Sequence, residues 1–275
     1  MCSTLRNRPR TARSFFTLGT LLVGTLLAGT RPAFATVDGG VQAVPPPATT
    51  AIVIGFVGGF VRHDSPHHGP VELARRIRQN VPGSTHVEVF ENRHRSQAHA
   101  EILRLLDTDH DGSLSAEEKS RARIVLYGHS WGGAAVVLLA RDLRREHIPV
   151  LLTVQVDSVA KIFRNDSIIP DNVAEAVNFY QPHGLLHGLA QITAANHSKT
   201  AILGNFRTDY RQHPVECPNA PWSDRFFTPG HMQAECDPTV WSQIESLVRQ
   251  RVAPPDAAAA AGLSSKNVAE TAGRN

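Results

Sequence analysis

The stretch Arg123-Ile-Val-Leu-Tyr127 runs directly into Gly128-His129-Ser130-Trp131-Gly132-Gly133 and then into Ala134–Glu146, AAVVLLARDLRRE. A β-branched apolar run, a glycine-flanked serine and a segment with apolar residues at helical spacing predict strand, tight turn and helix in succession. Glycines on both sides of Ser130 suit such a turn, because a neighbouring Cβ would strike the strand or the helix. The turn holds the Ser130 hydroxyl above the sheet edge. It also aims the Trp131 amide and the positive helix end at negative charge developing beside it. The string G-x-S-x-G occurs often by chance; the flanking strand and helix make Ser130 a candidate nucleophile.

Outward from this turn the same alternation continues. Ala51–Phe56, His86–Phe90, Arg123–Tyr127, Val150–Val156, Val177–Tyr180 and Ala201–Phe206 read as buried strands. Val71–Gln79, Gln97–Leu106, Gly133–Glu146 and Val240–Arg251 read as helices, the last opened by Asp237-Pro238, a capping residue followed by proline in the first turn. Strands separated by helices predict an α/β fold, a mostly parallel doubly wound sheet with helices on both faces. The 275 residues suffice for one large domain of this kind, here residues 50–252.

The pI near 9.0 suggests a nucleic-acid partner until the charges are located. Arg6, Arg8, Arg10, Arg13 and Arg31 all lie in the first 35 residues, which hold no acid. Without these five the chain has fewer basic than acidic residues, so no nucleic-acid partner is expected. The basic start leads into the apolar run Ser14–Gly29 and then Ala33-Phe34-Ala35, the pattern of a cleaved secretory signal over residues 1–35. The run is broken by Gly and Thr and is shorter than the ~20 residues of a spanning helix, so no lasting membrane span is expected. Residues 36–49 read as a linker and 253–275 as a disordered tail. Cleavage after Ala35 leaves Cys217 and Cys236, expected to be bridged in a secreted or periplasmic protein.

With GHSWGG set between strand and helix, and with this order of elements, residues 50–252 resemble the α/β-hydrolase superfamily, specifically its lipase- and esterase-like members. The resemblance implies acyl transfer to serine followed by hydrolysis, on a small-molecule or lipid ester. It implies Ser130 as nucleophile and a histidine base with an orienting acid, in the chain order serine, acid, histidine. His231, in RFFTPGHMQAECDP just before the final helix, stands where the base belongs; His183 and His187 in QPHGLLHG are rivals. Asp157 closes the strand LLTVQVD and is the first choice of acid, with Asp209 second. Many members carry the acid after the next strand, but QPHGLLHG there has no carboxylate. The oxyanion donors implied are the amides of Trp131 and Phe56, with Val57 close behind. Ile54-Gly55 replaces the His-Gly of many lipases, and the glycines of this loop lack the G-x-x-x-x-G-K of a phosphate loop.

Asp107-Thr-Asp-His-Asp-Gly-Ser-Leu-Ser-Ala-Glu-Glu118 fits D-x-D-x-D-G-x₅-E at every required position and resembles an EF-hand or dockerin-like loop. Asp107, Asp109, Asp111, Ser113 and Glu118 are its candidate Ca²⁺ ligands, with a bridged water at Ser115 and a sharp turn at Gly112. The expected affinity is of the extracellular kind, with a Kd on the order of 10⁻⁴–10⁻³ M, and since the loop lies well upstream of Ser130 the expected role is structural, not catalytic. Two other functions compete with the hydrolase: a catalytically silent, calcium-stabilised binding protein on the same scaffold, and a zinc hydrolase using His63, His67 and His68 in RHDSPHH. The latter loop reads first as a polar rim, since no H-E-x-x-H accompanies it.

Overall fold

The computed structural model describes residues 51–81, 83–160, 165–220 and 228–253. The expected signal, the linker and nearly all of the expected tail lie outside these residues. Strand β1 (Ala51–Val57) is followed by α1 (Gly69–Asn80), β2 (Thr85–Glu91), α2 (Arg95–Leu106), the short α3 (Ala116–Ser120) and β3 (Arg123–His129). Then come α4 (Trp131–Arg145), β4 (Val150–Val156), β5 (Ile168–Ile169), β6 (Val173–Tyr180), β7 (Thr193–Ala194) and β8 (Ala201–Arg207). Two helices close the described chain, α5 (Pro229–Cys236) and α6 (Pro238–Val252).

Six strands form one sheet in the order β2-β1-β3-β4-β6-β8, and every neighbouring pair is parallel. Successive side chains of β1 point to opposite faces, as strand geometry requires. Val53 and Val57 join Leu73, Ala74 and Ile77 of α1 and Trp241, Ile244 and Val248 of α6 in one core. Ile52, Ile54 and Phe56 join Ala98 and Ile102 of α2 and Val136, Leu139 and Leu143 of α4 in the other. The expected α/β class, with a parallel sheet covered on both faces, is the observed one. From β1 the chain steps outward to β2, returns to β3 on the other side of β1, and then moves steadily away. The C-terminal ends of β1 and β3 therefore flank a topological switch point, where open α/β sheets leave a crevice for ligands.

Some boundaries differ from expectation. β6 begins at Val173 rather than Val177; Glu175, the polar residue that hid its start, pairs with Arg251 of α6 at 2.6 Å. β8 is not a buried strand: it lies at the sheet edge and most of its residues are half-buried or exposed. The two-residue strands β5 and β7 pair with each other apart from the main sheet, and are too short to show a period. His231 stands inside α5, directly before the final helix α6, and no helix was expected there. Among the described residues no helix is long and apolar enough to cross a membrane.

Candidate active site

Ser130 sits between β3 and α4 with φ 57° and ψ −126°, a strained conformation for a residue with a side chain. The glycines around it permit the close approach. A Cβ on Gly128 would lie 2.5 Å from the Gly132 backbone, and one on Gly132 would lie 2.3 Å from the Phe56 carbonyl oxygen. The Ser130 amide donates to the Val156 carbonyl at 3.0 Å, and the Val159 amide donates to the Ser130 carbonyl at 3.2 Å. These bonds stitch the turn to the end of β4, where Asp157 follows.

Asp157 is fully buried and its carboxylate accepts four N–H groups. His231 Nδ1 donates at 2.6 Å, the Gln181 amide and side chain each at 3.1 Å, and the Gly188 amide at 2.7 Å. Burial pushes this carboxyl upward, but the bonds from His231 and Gln181 outweigh it, and the net shift is below the ordinary value. Asp157 therefore stays ionised. Burial, followed by the nearby His129, pushes His231 below the usual imidazole value against the pull of Asp157. Near neutral pH His231 is accordingly uncharged. Because a carboxylate only accepts, Nδ1 carries the proton and Nε2 keeps the lone pair. Its ring lies 4.5 Å, centroid to centroid, from that of His129, the residue before Ser130.

The rivals go elsewhere. His183 Nε2 meets Asp209 Oδ2 at 3.2 Å, and His187 Nδ1 donates to the Gly188 carbonyl at 3.3 Å. Gln181, the first residue after β6, is the residue that donates to Asp157 from the segment QPHGLLHG, in which no carboxylate stands. Nothing in the sequence marked it for that role.

Beside Ser130 lies Gly58, where an added Cβ would come 2.8 Å from the Ser130 Cβ. Phe56, expected as the second oxyanion donor, lies two residues before Gly58, with its carbonyl oxygen against Gly132. It is buried within β1, paired with Phe90 and Gly128, and the strand continues to Val57 opposite Glu91. The loop is held by Asn92, whose side-chain amide donates to the carbonyls of Gly59 at 2.6 Å and Val57 at 3.3 Å. Asn92 follows β2 and gave no sequence signal, since the contact exists only once β1 and β2 pair. Phe60 stands edge-on to Trp131, ring centroids 5.5 Å apart.

Cys217 and Cys236 stand at disulfide spacing, Cα to Cα 5.7 Å, with Cys236 the last residue of α5. In the acidic loop, ligand oxygens of Asp107, Asp109 and Glu118 lie within 4.8 Å of one another. Asp107 Oδ1 is buried with no hydrogen-bond partner among the described residues, and the Gly112 amide donates to Oδ2 at 3.1 Å. An unmet buried carboxylate oxygen among acidic neighbours fits a hard cation. Asp111 stands outside this group and accepts from the Ser113 amide at 2.7 Å. Both Glu118 oxygens accept from Thr108 and Ser115, the latter as a capping box on α3. The candidate metal groups among the described residues include none of His63, His67 and His68; His63 and His68 face Glu91 and Glu235 instead.

No family model and no curated protein matches the chain. Among solved structures it is similar to a dienelactone hydrolase from Anabaena variabilis, at 12% identity over 74% of this chain and 86% of that one, with a TM-score of 0.37. It is similar also to a thermostable esterase from Pseudomonas putida, at 10% identity over 77% of each chain and a TM-score of 0.42. An acetylxylan esterase matches at 11% identity over 75% of this chain and 100% of its own, with a TM-score of 0.36. Scores this low leave any functional reading to rest on the geometry around Ser130.

Proposed function

We propose that this chain is a serine hydrolase of the α/β-hydrolase superfamily that cleaves carboxylic esters of small molecules or lipids. The observation that carries the reading is the 2.6 Å bond from His231 Nδ1 to the buried Asp157, at the strand end to which the strained Ser130 turn is tied. In this reading His231 Nε2 takes the Ser130 proton as Oγ attacks the ester carbonyl carbon. Asp157 fixes the tautomer and stabilises the imidazolium, without itself becoming protonated. The tetrahedral oxyanion is met by the Trp131 amide and by an amide at the end of β1, that of Phe56 or Val57. His231 then protonates the departing alcohol, and water repeats the sequence on the acyl-enzyme with the same base.

The decisive experiment is labelling with a fluorophosphonate probe, followed by peptide mapping. Modification at Ser130, with hydrolysis of a panel of acyl esters of increasing chain length, is the expected result. Absence of labelling on folded protein would leave the catalytically silent alternative. The reading also includes export, supported by the basic, apolar and A-x-A order of residues 1–35, and a disulfide between Cys217 and Cys236. We propose further that Asp107, Asp109 and Glu118 hold Ca²⁺, with Asp111 and Ser113 joining when it binds. The ion would act structurally, pinning the crossover from α2 into β3.

A further inference from the structure

Behind the Asp157–His231 pair lies a second imidazole–carboxylate pair. Glu235, one turn beyond His231 on α5, is buried, and its Oε1 lies 3.5 Å from Nδ1 of His129 and 2.9 Å from Nδ1 of His68. His129 is also buried, and its ring packs at 34° to that of His231. The two carboxylates differ in how they are met. Asp157 has three N–H donors that carry no charge, from Gln181 and Gly188, besides His231. Among the described residues, the Glu235 carboxylate has only imidazoles. A buried carboxylate needs a compensating charge or several hydrogen bonds, so a proton is retained beside Glu235 and not beside Asp157. Two imidazolium rings in ring contact repel, and the site therefore holds one.

Building on the serine-hydrolase reading, we infer that His129 carries this proton, held by Glu235, and acts as a positioning residue that keeps His231 neutral and able to accept a proton. The shifts agree in direction. Burial works against a charged His129, but Glu235 and Asp157 raise it above the ordinary imidazole value. Burial likewise works against an ionised Glu235, but His129 and His68 hold it well below the usual carboxylate range. The groups facing the ring pair are Asp157 at the end of β4, Glu235 on α5 and, through Glu235, His68 at the start of α1. Glu235 and His68 also line a cavity of about 320 Å³ with His67, Glu72, Arg76 and Glu216, which gives the pair a route for proton exchange. In that cavity Arg76 is already paired with Glu245, and Glu72 with Arg75.

The test is the pH profile of kcat/KM for a neutral ester, alongside an imidazole ¹⁵N NMR titration of His231 in protein carrying Ser130→Ala. Removing a cation beside His231 eases its protonation, so His129→Gln should move the acidic limb up by about one pH unit. Below the limb this is roughly a tenfold loss, with little change on the alkaline plateau. Glu235→Gln should move it the same way but less far, because that variant also removes an opposing negative charge. An unmoved or lowered limb and His231 titration in both variants would overturn the inference. A shift in His68→Gln as large as in His129→Gln would place the proton on His68 and overturn the assignment to His129. The NMR titration needs no turnover. If Ser130 resists the fluorophosphonate, the hydrolase reading fails, while the titration still decides the charge on His129.

Discussion

Ser130, Asp157 and His231 illustrate how differently three residues can be written into a chain. Ser130 is local: its glycines, strand and helix are contiguous, and the strained backbone follows from that short string. Asp157 is half local, since an acid closing an apolar strand is visible but its four donors come from residues 181, 188 and 231. The choice among 14 histidines is not local at all. Which imidazole meets Asp157 depends on where α5 docks, and no spacing encodes that. On the proposed mechanism Ser130→Ala should fold normally and lose roughly 10³–10⁶-fold in ester hydrolysis, because the three residues act as a unit. Steady-state kinetics beside a circular dichroism spectrum checks this. Asp157→Asn should cost on the order of 10⁴ in kcat, as the corresponding change does in a well-studied protease, because asparagine favours the wrong tautomer. Asp209→Asn should cost far less, since Asp209 meets His183. A reversed ranking would move the proposed acid to Asp209.

At the scale of elements, long helices and central strands were legible from periodicity, and α5 was not. Its eight residues present no apolar stripe, so no helical spacing marks it. In the structure Pro229 opens the helix, where its missing N–H costs nothing and its φ is already helical. The far end of α5 is Cys236, so the proposed bridge to Cys217 bears on the position of His231. Cys217→Ser with Cys236→Ser should lower kcat before it unfolds the domain, because misplacing a reacting group by ~1 Å can cost ~10²-fold. Closing a loop of this length is worth roughly 3 kcal/mol of stability, less any strain. Activity and thermal melting of the double variant, measured together, separate the two effects. The acidic loop was legible as a motif, but the hydrogen bonds of Glu118 depend on Thr108 and on α3. If the loop binds Ca²⁺, millimolar calcium should raise the melting temperature and EDTA should lower it. Asp107→Ala with Glu118→Ala should remove the difference. Calorimetric titration gives the direct check.

For the whole molecule, the parallel sheet and its two cores followed from the alternation of strands and helices, while the exposure of β8 followed from its place at the sheet edge, which alternation alone does not assign. Acid should destabilise the fold chiefly through its carboxylates. His231 is lowered, so the unfolded chain takes up its proton first, and the contribution of His231 begins to fall below about pH 6.5. Asp157 is lowered by His231 and Gln181 against burial, and Glu118 is held at about 2 by backbone donors from Ser115 and Thr108. Their contributions are complete above the unfolded carboxyl values and fade as pH drops through about 4 toward the folded ones. The raised His129 acts oppositely, its contribution fading as pH rises. Urea denaturation should show stability falling from pH 5.5 to pH 3.5, where the contributions of Asp157 and Glu118 fade, while between pH 7.5 and 5.5 the two histidines oppose each other. The position of α5 and α6 after every strand has a kinetic side. In a growing chain, emerging residue by residue, all six strands and the Ser130 turn are made before His231. The serine would then wait, formed but inert, until the last helices dock against α1 and the ends of β3 and β4. On the proposed mechanism, activity would thus report completed synthesis, and a chain halted anywhere before α5 would be harmless to the esters around it.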